Sequence, residues 1–235
     1  FVLKGEVTDA ENDAMTYVWE QNNPATSSSG FGANSVASPT KTNGPNFKMY
    51  PPTSEPIRYF PEFTKILAGV NATKWEALSS VTRTLNFTLT ARDNSASGQQ
   101  TNTDEVRVYV NQNAGPFVVT SPTFGESLSS NSTYNVKWNV ANTNTSPVNT
   151  SHVNIKYSKD GGNSFEVLVS NTPNDGEQVV TIPANSQAEN AFIMIEAVDN
   201  VYFALSSSFV IDYLVTGEVC NSYSYEGSPV VIADA

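Results

Sequence analysis

The chain has 235 residues with 23 acidic and 12 basic side chains, which gives a formal net charge of −11 at pH 7 with histidine neutral. Such a surface repels nucleic acid and anionic membranes, and no apolar run approaches the length of a membrane-spanning helix, so we expect neither nucleic-acid binding nor membrane insertion. Aromatic residues make up 11% of the chain, which excludes a disordered protein, and abundant Asn, Gly, Ser and Pro residues favour many turns between short strands.

The first half of the chain shows short strand patterns around a long polar segment. Met15, Tyr17 and Trp19 alternate with side chains that face the other way, as in a strand with one buried face. The segment at about 21–80 is too long and too polar for a hairpin loop, so we predict an insertion packed against the strands, with one or two helical turns at 62–67. The predicted strands are 2–7, 15–20, 82–93 and 105–110. The last two place apolar side chains on one face, namely Leu85, Phe87, Leu89 and Ala91, and Val106, Val108 and Val110.

The second half begins after a predicted hinge at 111–116, where Asn, Gly and Pro residues lie close together. Turn signals about every 8–12 residues over roughly 100 residues are typical of an immunoglobulin-like sandwich. Trp19 and Trp138 lie on an early strand of each half, as the cores of two sandwiches would need. The predicted strands are 117–120, 134–140, 153–158, 165–169, 178–182, 191–198 and 207–213.

These patterns predict an all-β fold of two tandem immunoglobulin-like (fibronectin III- or PKD-like) β-sandwiches. We place the first sandwich at 1–112, with the insertion at about 21–80, and the second at 113–214. Residues 215–235 are predicted to be a linker and the start of a further C-terminal domain.

The chain carries no recognisable catalytic motif. His152 is its only histidine and Cys220 its only cysteine, so neither type of residue can build a zinc site or an internal disulfide. No HExxH pair, no G-x-S-x-G elbow and no phosphate-binding glycine loop occurs. We therefore predict no enzyme activity and no zinc in this chain. An acidic pair in a pocket, as in a glycosidase, is the least supported alternative.

Acidic residues alternate in the turn after the first strand, at Asp9, Glu11 and Asp13. Ca²⁺ takes about six to eight oxygen ligands, and such a turn lets several carboxylates converge. Because the turn lacks the glycine and the final glutamate of an EF-hand, calcium would need further ligands, for which Asp93 and Asp104 near strand ends are candidates. A solvated turn in which Asp9 accepts a local hydrogen bond explains the same residues. The sequence leaves both alternatives open.

The segment 158–165 fits the pattern S-x-D-x-G-x-x-[WF], which is known as an Asp-box. In this motif Asp160, Gly161 and Gly162 would shape a tight hairpin turn, and Phe165 would pack beneath it. Asp-boxes repeat in sialidase propellers, whereas this chain has one copy and is too short for a propeller. We therefore predict a structural turn, with a sugar or ion site at Asp160 as the weaker alternative.

Three aromatic residues are candidates for a surface that binds carbohydrate: Tyr59, Trp75 and Tyr202. Large apolar side chains usually serve burial, so core or edge packing is the competing interpretation.

A series of short motifs runs in order through residues 1–213. Those of the first half are Thr8-Asp9-Ala10-Glu11-Asn12-Asp13, Arg58-Tyr59-Phe60-Pro61, Trp75-Glu76-Ala77-Leu78 and Leu89-Thr90-Ala91-Arg92-Asp93-Asn94. Those of the second half are Asn113-Ala114-Gly115-Pro116-Phe117, Val136-Lys137-Trp138-Asn139-Val140-Ala141 and Thr172-Pro173-Asn174-Asp175-Gly176. Together they resemble the region that follows the catalytic domain in secreted bacterial reprolysin-like zinc metalloproteases.

The resemblance implies a secreted or bacterial cell-surface protein whose zinc site lies upstream of Phe1. None of the family's zinc ligands and no catalytic glutamate maps onto this chain. The resemblance does not say what such domains bind. Our leading hypothesis is a spacer or adhesion module, stiffened by Ca²⁺, whose partners are a protein substrate, a cell-surface polysaccharide or other domains of the same polypeptide. The alternative is a carbohydrate- or cell-surface-binding adhesin module without protease activity.

Overall fold

The computed structural model describes residues 1–25 and 35–213 in full and, for residues 219–225 and 228–232, the backbone alone. In these residues the regular secondary structure is almost entirely strands, which turns and loops connect, with one short helix. The elements are β1 (Val2–Lys4), β2 (Met15–Gln21), β3 (Ile57–Tyr59), α1 (Phe63–Leu67), β4 (Arg83–Asp93), β5 (Thr101–Val110), β6 (Val118–Ser121), β7 (Ser127–Leu128), β8 (Thr133–Asn139), β9 (His152–Ser158), β10 (Glu166–Pro173), β11 (Glu177–Thr181), β12 (Ala188–Ala197), β13 (Phe203–Leu205), β14 (Phe209–Ile211), β15 (Val219–Tyr225) and β16 (Ser228–Ile232).

The chain divides into two compact units. The first comprises Phe1–Phe117, Ala141–Ser151 and Asp199–Phe203, and the second comprises Val118–Val140, His152–Val198 and the chain from Ala204 onward. Two short segments from the second half of the sequence thus group with the first unit. The domain boundaries derived from the sequence stay predictions.

The first unit is built from two antiparallel sheets. One has the strand order β2-β4-β5, and the other pairs β1 with β3. Alternation along β4 buries one face of that strand, as predicted, because side chains of a strand point to opposite sides in turn. The buried core consists of Leu3, Tyr17, Trp19, Phe47, Phe60, Leu85, Phe87, Leu89 and Ala91.

Two strands of this unit differ in extent from their predictions. The first strand ends at Lys4 instead of residue 7, since the N–H of Gly5 donates to the carbonyl of Pro56 at 2.8 Å and proline has no N–H to continue the ladder. β5 begins at Thr101 instead of residue 105. Its first residues are exposed and polar, so they pair with β4 but show no hydrophobic alternation in the sequence.

The second unit contains a three-stranded sheet of order β11-β8-β6 and a larger sheet of order β10-β9-β12-β14-β7, in which β13 also pairs with β12. The pairs β9–β10, β8–β11, β9–β12, β12–β14 and β6–β8 are antiparallel, whereas β14 and β7 are parallel. β7 and β13, with two and three residues, are too short to show a strand pattern in the sequence. The predicted strand at 165–169 extends to Pro173 as β10, with two irregularities in its pairing with β9. Fully buried side chains of this unit include Val136, Val153, Ile155, Tyr157, Ile193, Ile195, Phe209 and Ile211.

The C-terminal part of the chain forms the antiparallel pair β15 and β16, and Cys220 lies in β15. The predicted linker at 215–235 otherwise falls largely outside the described residues and stays a prediction. No helix in the described part of the chain has the length and apolar character needed to cross a membrane.

Candidate functional site

A groove of about 380 Å³ opens on the first unit. Its walls come from β2, from β3 and the start of α1, and from the part of the insertion that precedes β3. The lining residues are Tyr17, Val18, Trp19, Tyr50, Pro51, Pro52, Thr53, Ile57, Arg58, Tyr59, Glu62 and Phe63. Aromatic rings and prolines therefore dominate the walls, with one guanidinium and one carboxylate among them.

The insertion wall of the groove is attached to β2 by backbone hydrogen bonds. The N–H of Tyr17 donates to the carbonyl of Thr53 at 2.9 Å, and the N–H of Thr53 donates to the carbonyl of Tyr17 at 3.0 Å. Arg58 adds two bonds from its guanidinium, to the carbonyl of Trp19 and to the carbonyl of Lys48, each at 2.5 Å. The chain around Thr53 and Arg58 is thus fixed to β2, whereas the predicted extent of the insertion stays a prediction.

A buried ion pair lies at the base of these contacts. Arg58 Nη2 is 3.0 Å from Glu76 Oε1, and the two side chains are 10% and 3% exposed. Glu76 Oε2 accepts the hydroxyl of Tyr50 at 3.0 Å and the N–H of Glu62 at 2.9 Å. The Arg58 guanidinium also lies 4.4 Å from the ring centroid of Phe60. Both oxygens of the buried carboxylate therefore have partners, as a buried charge requires.

Burial shifts the pKa values of two groups in this network. It lowers the pKa of Arg58, which the hydrogen bond and charge of Glu76 oppose. Burial also raises the pKa of Tyr50, with further contributions from the hydrogen bond to Glu76 and from the charges of Glu76 and Glu62. Tyr50 consequently keeps its proton and acts as a donor at neutral pH.

Glu62 is the one carboxylate among the residues that line the groove. Its Oε2 lies 3.4 Å from the Tyr50 hydroxyl, and within the described residues no ion pair involves it. Arg58 pairs with Glu76, so within the described residues Glu62 is the charged group of the lining that has no counter-charge within ion-pair distance.

The structure brings only some of the predicted calcium ligands together. Asp9 Oδ2 accepts the N–H of Asp13 at 2.7 Å, whereas Asp93 Oδ1 accepts the N–H of Ser95. Asp104 on β5 lies opposite Leu89 on β4. Leu89 is four residues from Asp93, so Asp104 and Asp93 are separated by about 14 Å along the strands. Among residues 1–25 and 35–213, no three or more Asp, Glu, His or Cys side chains gather closely enough to hold a metal ion. Calcium binding by the Asp9–Asp13 turn, with Glu11 exposed between them, stays a prediction.

Asp160 lies at the centre of the turn that joins β9 and β10. Its Oδ1 accepts the hydroxyl of Ser158 at 2.7 Å and the N–H of Ser164 at 2.9 Å. Hydrogen bonds from Ser164, followed by that from Ser158, hold the pKa of Asp160 well below its usual range. Gly161 and Gly162 have φ angles of 74° and 91°, which L side chains rarely adopt. The carboxylate is therefore occupied by the turn itself, and Phe165 is half-buried after it.

The three predicted surface aromatics have different environments. The ring of Tyr59 packs against Phe63 at 4.5 Å between centroids, and that of Tyr202 packs against Phe117 at 5.1 Å. Trp75 is 67% exposed. Within the described residues no ring contact joins Tyr59, Trp75 and Tyr202 to one another.

No local sequence pattern marks Arg58, Glu76 and Tyr50 as a site, because their contacts join positions far apart in the chain. Tyr109, which is 73% exposed on β5, is not among the residues predicted to bind a ligand. A signal for Tyr109 was present, since it alternates with the inward Val108 and Val110 and must face solvent.

Comparisons with known proteins add little to this description. No protein-family model and no curated protein matches the chain. A solved structure of chimeric titin Z1Z2 functionalised with a KLER peptide from decorin is 14% identical, with a TM-score of 0.25, covering 56% of this chain and 63% of that one. A structure of Sidekick-1 immunoglobulin domains 1–5 is 10% identical, with a TM-score of 0.25, covering 95% of this chain and 40% of that one. The chain thus spans less than two thirds of either protein's length, and similarities this distant support no argument about function. The strands and their pairings make the chain an all-β protein of immunoglobulin-like β-sandwiches.

Proposed function

We propose that the chain is a non-catalytic accessory region of a secreted multidomain metalloprotease, in which it acts as a spacer and docks a protein partner. The ordered motifs of residues 1–213 support the link to a protease, and the sandwich fold suits a spacer. The observation that carries the docking role is the groove between β2, β3 and the insertion, whose walls are held in place by the Arg58–Glu76 ion pair. A zinc-binding HExxH sequence encoded upstream of Phe1 is expected, and its absence would contradict the link to a protease.

The occupant that fits the groove is an extended protein segment rich in proline and aliphatic residues, with one basic side chain. Aromatic and proline walls suit a polyproline II segment, which is already extended and loses little entropy on binding. Glu62 provides the charge that a lysine or arginine of the partner would meet. The net charge of −11 favours a basic partner over an acidic one.

Docking can be measured by the fluorescence anisotropy of a labelled decapeptide of proline and leucine with one central arginine. Replacement Phe63→Ala is expected to weaken binding about tenfold, because it removes an aromatic wall of the groove. Replacement Glu62→Gln is expected to weaken binding of this peptide but not of a peptide that lacks the arginine. The loss of affinity should be smaller at high salt, which screens the charges. Trp75→Ala removes an exposed ring that is not among the groove residues, so it should leave the affinity for the peptide unchanged. Failure of the wild-type protein to bind, or equal binding by Phe63→Ala, would refute the docking role.

Calcium stiffening is a separate component of the proposal. The Asp9 carboxylate closes this turn by accepting the N–H of Asp13, and the carboxylates of Glu11 and Asp13 on the same turn are the further oxygens that would bind the ion. An ion that binds only the folded state at 100 times its Kd adds about 2.7 kcal/mol of stability. Thermal unfolding is expected at a higher temperature in millimolar Ca²⁺ than in EDTA, and Asp13→Ala should abolish the difference. Equal melting temperatures of the wild-type protein in both conditions would mean that the turn is only solvated.

The second candidate function is an adhesin module that binds a cell-surface polysaccharide without any protease attached. The exposure of Trp75 and Tyr109 on the first unit favours it, because rings exposed to this extent contribute little to the core. Retention on a polysaccharide matrix together with no upstream HExxH would favour this function over the accessory role.

A further inference from the structure

The outer face of the sheet β2-β4-β5 forms a second depression on the first unit, with a volume of about 320 Å³. It is separate from the groove in every lining residue. Register places its side chains in rows across the strands, with Tyr109 opposite Thr84, Arg107 opposite Asn86, and Glu105 opposite Thr88. Asn22 extends the middle row, since its N–H donates to the carbonyl of Asn86 at 3.0 Å. The three rows span about 14 Å along the strands.

The polar groups of this face are positioned before any ligand arrives. Asn22 Nδ2 donates to the hydroxyl of Thr88 at 2.8 Å and lies 3.5 Å from Glu105 Oε1. The N–H of Asn86 is held by Asn23 Oδ1 at 2.9 Å, so the strand carrying Asn86 is braced from both sides. A preorganised polar surface loses little side-chain entropy when it binds.

Tyr109 supplies the apolar component of the face. Its side chain is 73% exposed although it lies within the regular part of β5, at one end of the depression. A pyranose ring has an apolar face of C–H groups and a rim of hydroxyl groups. An exposed aromatic ring beside amides, a carboxylate and a guanidinium matches both parts of such a ligand.

The charges of the face favour a neutral ligand. Glu105 and Arg107 give the lining of the depression one negative and one positive formal charge, and the chain as a whole carries a net charge of −11. A polyanionic polysaccharide would be repelled by the chain at long range.

A peptide strand added to the edge of β5 is a poorer explanation. The N–H of Thr103 donates to Asn102 Oδ1 at 2.9 Å, and that of Glu105 donates to Asp104 Oδ1 at 2.8 Å. Two donors of this edge strand are thus satisfied by neighbouring side chains and are not available to a partner strand.

We infer that this face binds a neutral oligosaccharide, with one sugar ring stacked on Tyr109 and hydroxyl groups bonded to the polar side chains beside it, namely Asn22, Asn86, Glu105 and Arg107. This site shares no lining residue with the groove, so the inference does not depend on a protein segment docking in the groove.

The test is isothermal titration of the intact chain with neutral hexasaccharides of glucose, mannose, xylose and N-acetylglucosamine, and with hexagalacturonate as the anionic comparison. At least one neutral hexasaccharide is expected to bind, and hexagalacturonate is not. Tyr109→Ala should weaken binding about tenfold, whereas Tyr109→Phe keeps the ring and should bind within about twofold of the wild-type protein. Asn86→Ala should weaken binding about fivefold.

Two control variants separate this proposal from the others. Phe124→Ala removes an equally exposed ring, 81% accessible, from the second unit and should bind the sugar normally. Phe63→Ala alters the groove and should also bind the sugar normally, so the two sites can fail independently. Absence of binding by every neutral hexasaccharide at about 10 mM, where a Kd of 1 mM would give near saturation, overturns the inference. Equal binding by Tyr109→Ala and the wild-type protein overturns it as well.

Discussion

Replacing Phe87 by alanine is expected to lower the free energy of unfolding of the first unit by about 3–5 kcal/mol. Phe87 has no exposed surface and lies on the central strand β4. Its ring centroid is 4.7 Å from that of Phe60 and 6.1 Å from that of Phe47. Since the surrounding rings belong to different segments, they cannot close the cavity without moving several segments of chain.

Hydrogen exchange of peptides from β2, β4 and β5 against urea concentration measures this loss for the first unit alone. Thr90→Ala is the matched control, because Thr90 lies on the same strand but on the opposite, half-exposed face. Its effect should stay within about 0.5 kcal/mol, as for most surface substitutions. A loss below about 1 kcal/mol for Phe87→Ala would contradict the assignment of this ring to a well-packed core.

Replacing Glu76 by alanine is expected to cost the first unit about 3–5 kcal/mol, because it leaves the buried Arg58 guanidinium without its counter-charge. The same change removes the acceptor of the Tyr50 hydroxyl and of the Glu62 N–H. The insertion should then separate from β2, which would appear as faster hydrogen exchange at 48–53 and 76–78 than in the wild-type protein.

The double variant Arg58→Met with Glu76→Leu separates charge from packing. It should recover only the part of the loss that comes from the unpaired guanidinium, since the Tyr50 hydroxyl and the Glu62 N–H still lack their acceptor. The carbonyls of Trp19 and Lys48 also lose the donor that Arg58 supplied. The exposed pair of Lys137 and Glu177, 3.9 Å apart with side chains 54% and 62% accessible, provides the comparison. Glu177→Ala should change stability by only about 0–1 kcal/mol. Comparable losses from Glu76→Ala and Glu177→Ala would show that the buried pair contributes no more than a surface pair.

Local patterns in the sequence predicted the parts of the fold that depend on neighbouring residues. The alternation of Leu85, Phe87, Leu89 and Ala91 marked both the strand and its buried face, because the period of a strand is two residues. The early end of β1 was not predictable, since it depends on Pro56 lying opposite Gly5, 51 positions away in the chain.

The candidate sites were less accessible to sequence reasoning. The groove depends on Arg58 meeting Glu76 and the carbonyls of Trp19 and Lys48, and no local pattern encodes such long-range contacts. The outer face of the sheet depends on the register between β4 and β5, which aligns Asn86 with Arg107. The acidic turn at Asp9 was recognised, but the position of Asp104 relative to Asp93 follows from strand pairing and not from sequence spacing.

The parallel pairing of β7 with β14 has a mechanical consequence for a spacer. The N–H of Val210 donates to the carbonyl of Glu126, and the N–H of Asp212 donates to the carbonyl of Leu128, both at 2.9 Å. Ser127 Oγ adds a bond to the carbonyl of Tyr213. The two strands run in the same direction, one early and one late in the second unit, so a pull on the chain ends would slide them past each other. Such a load acts on all these bonds at once instead of opening them one by one. The β7–β14 pair would therefore resist tension far better than a β-hairpin that is pulled apart from its open end.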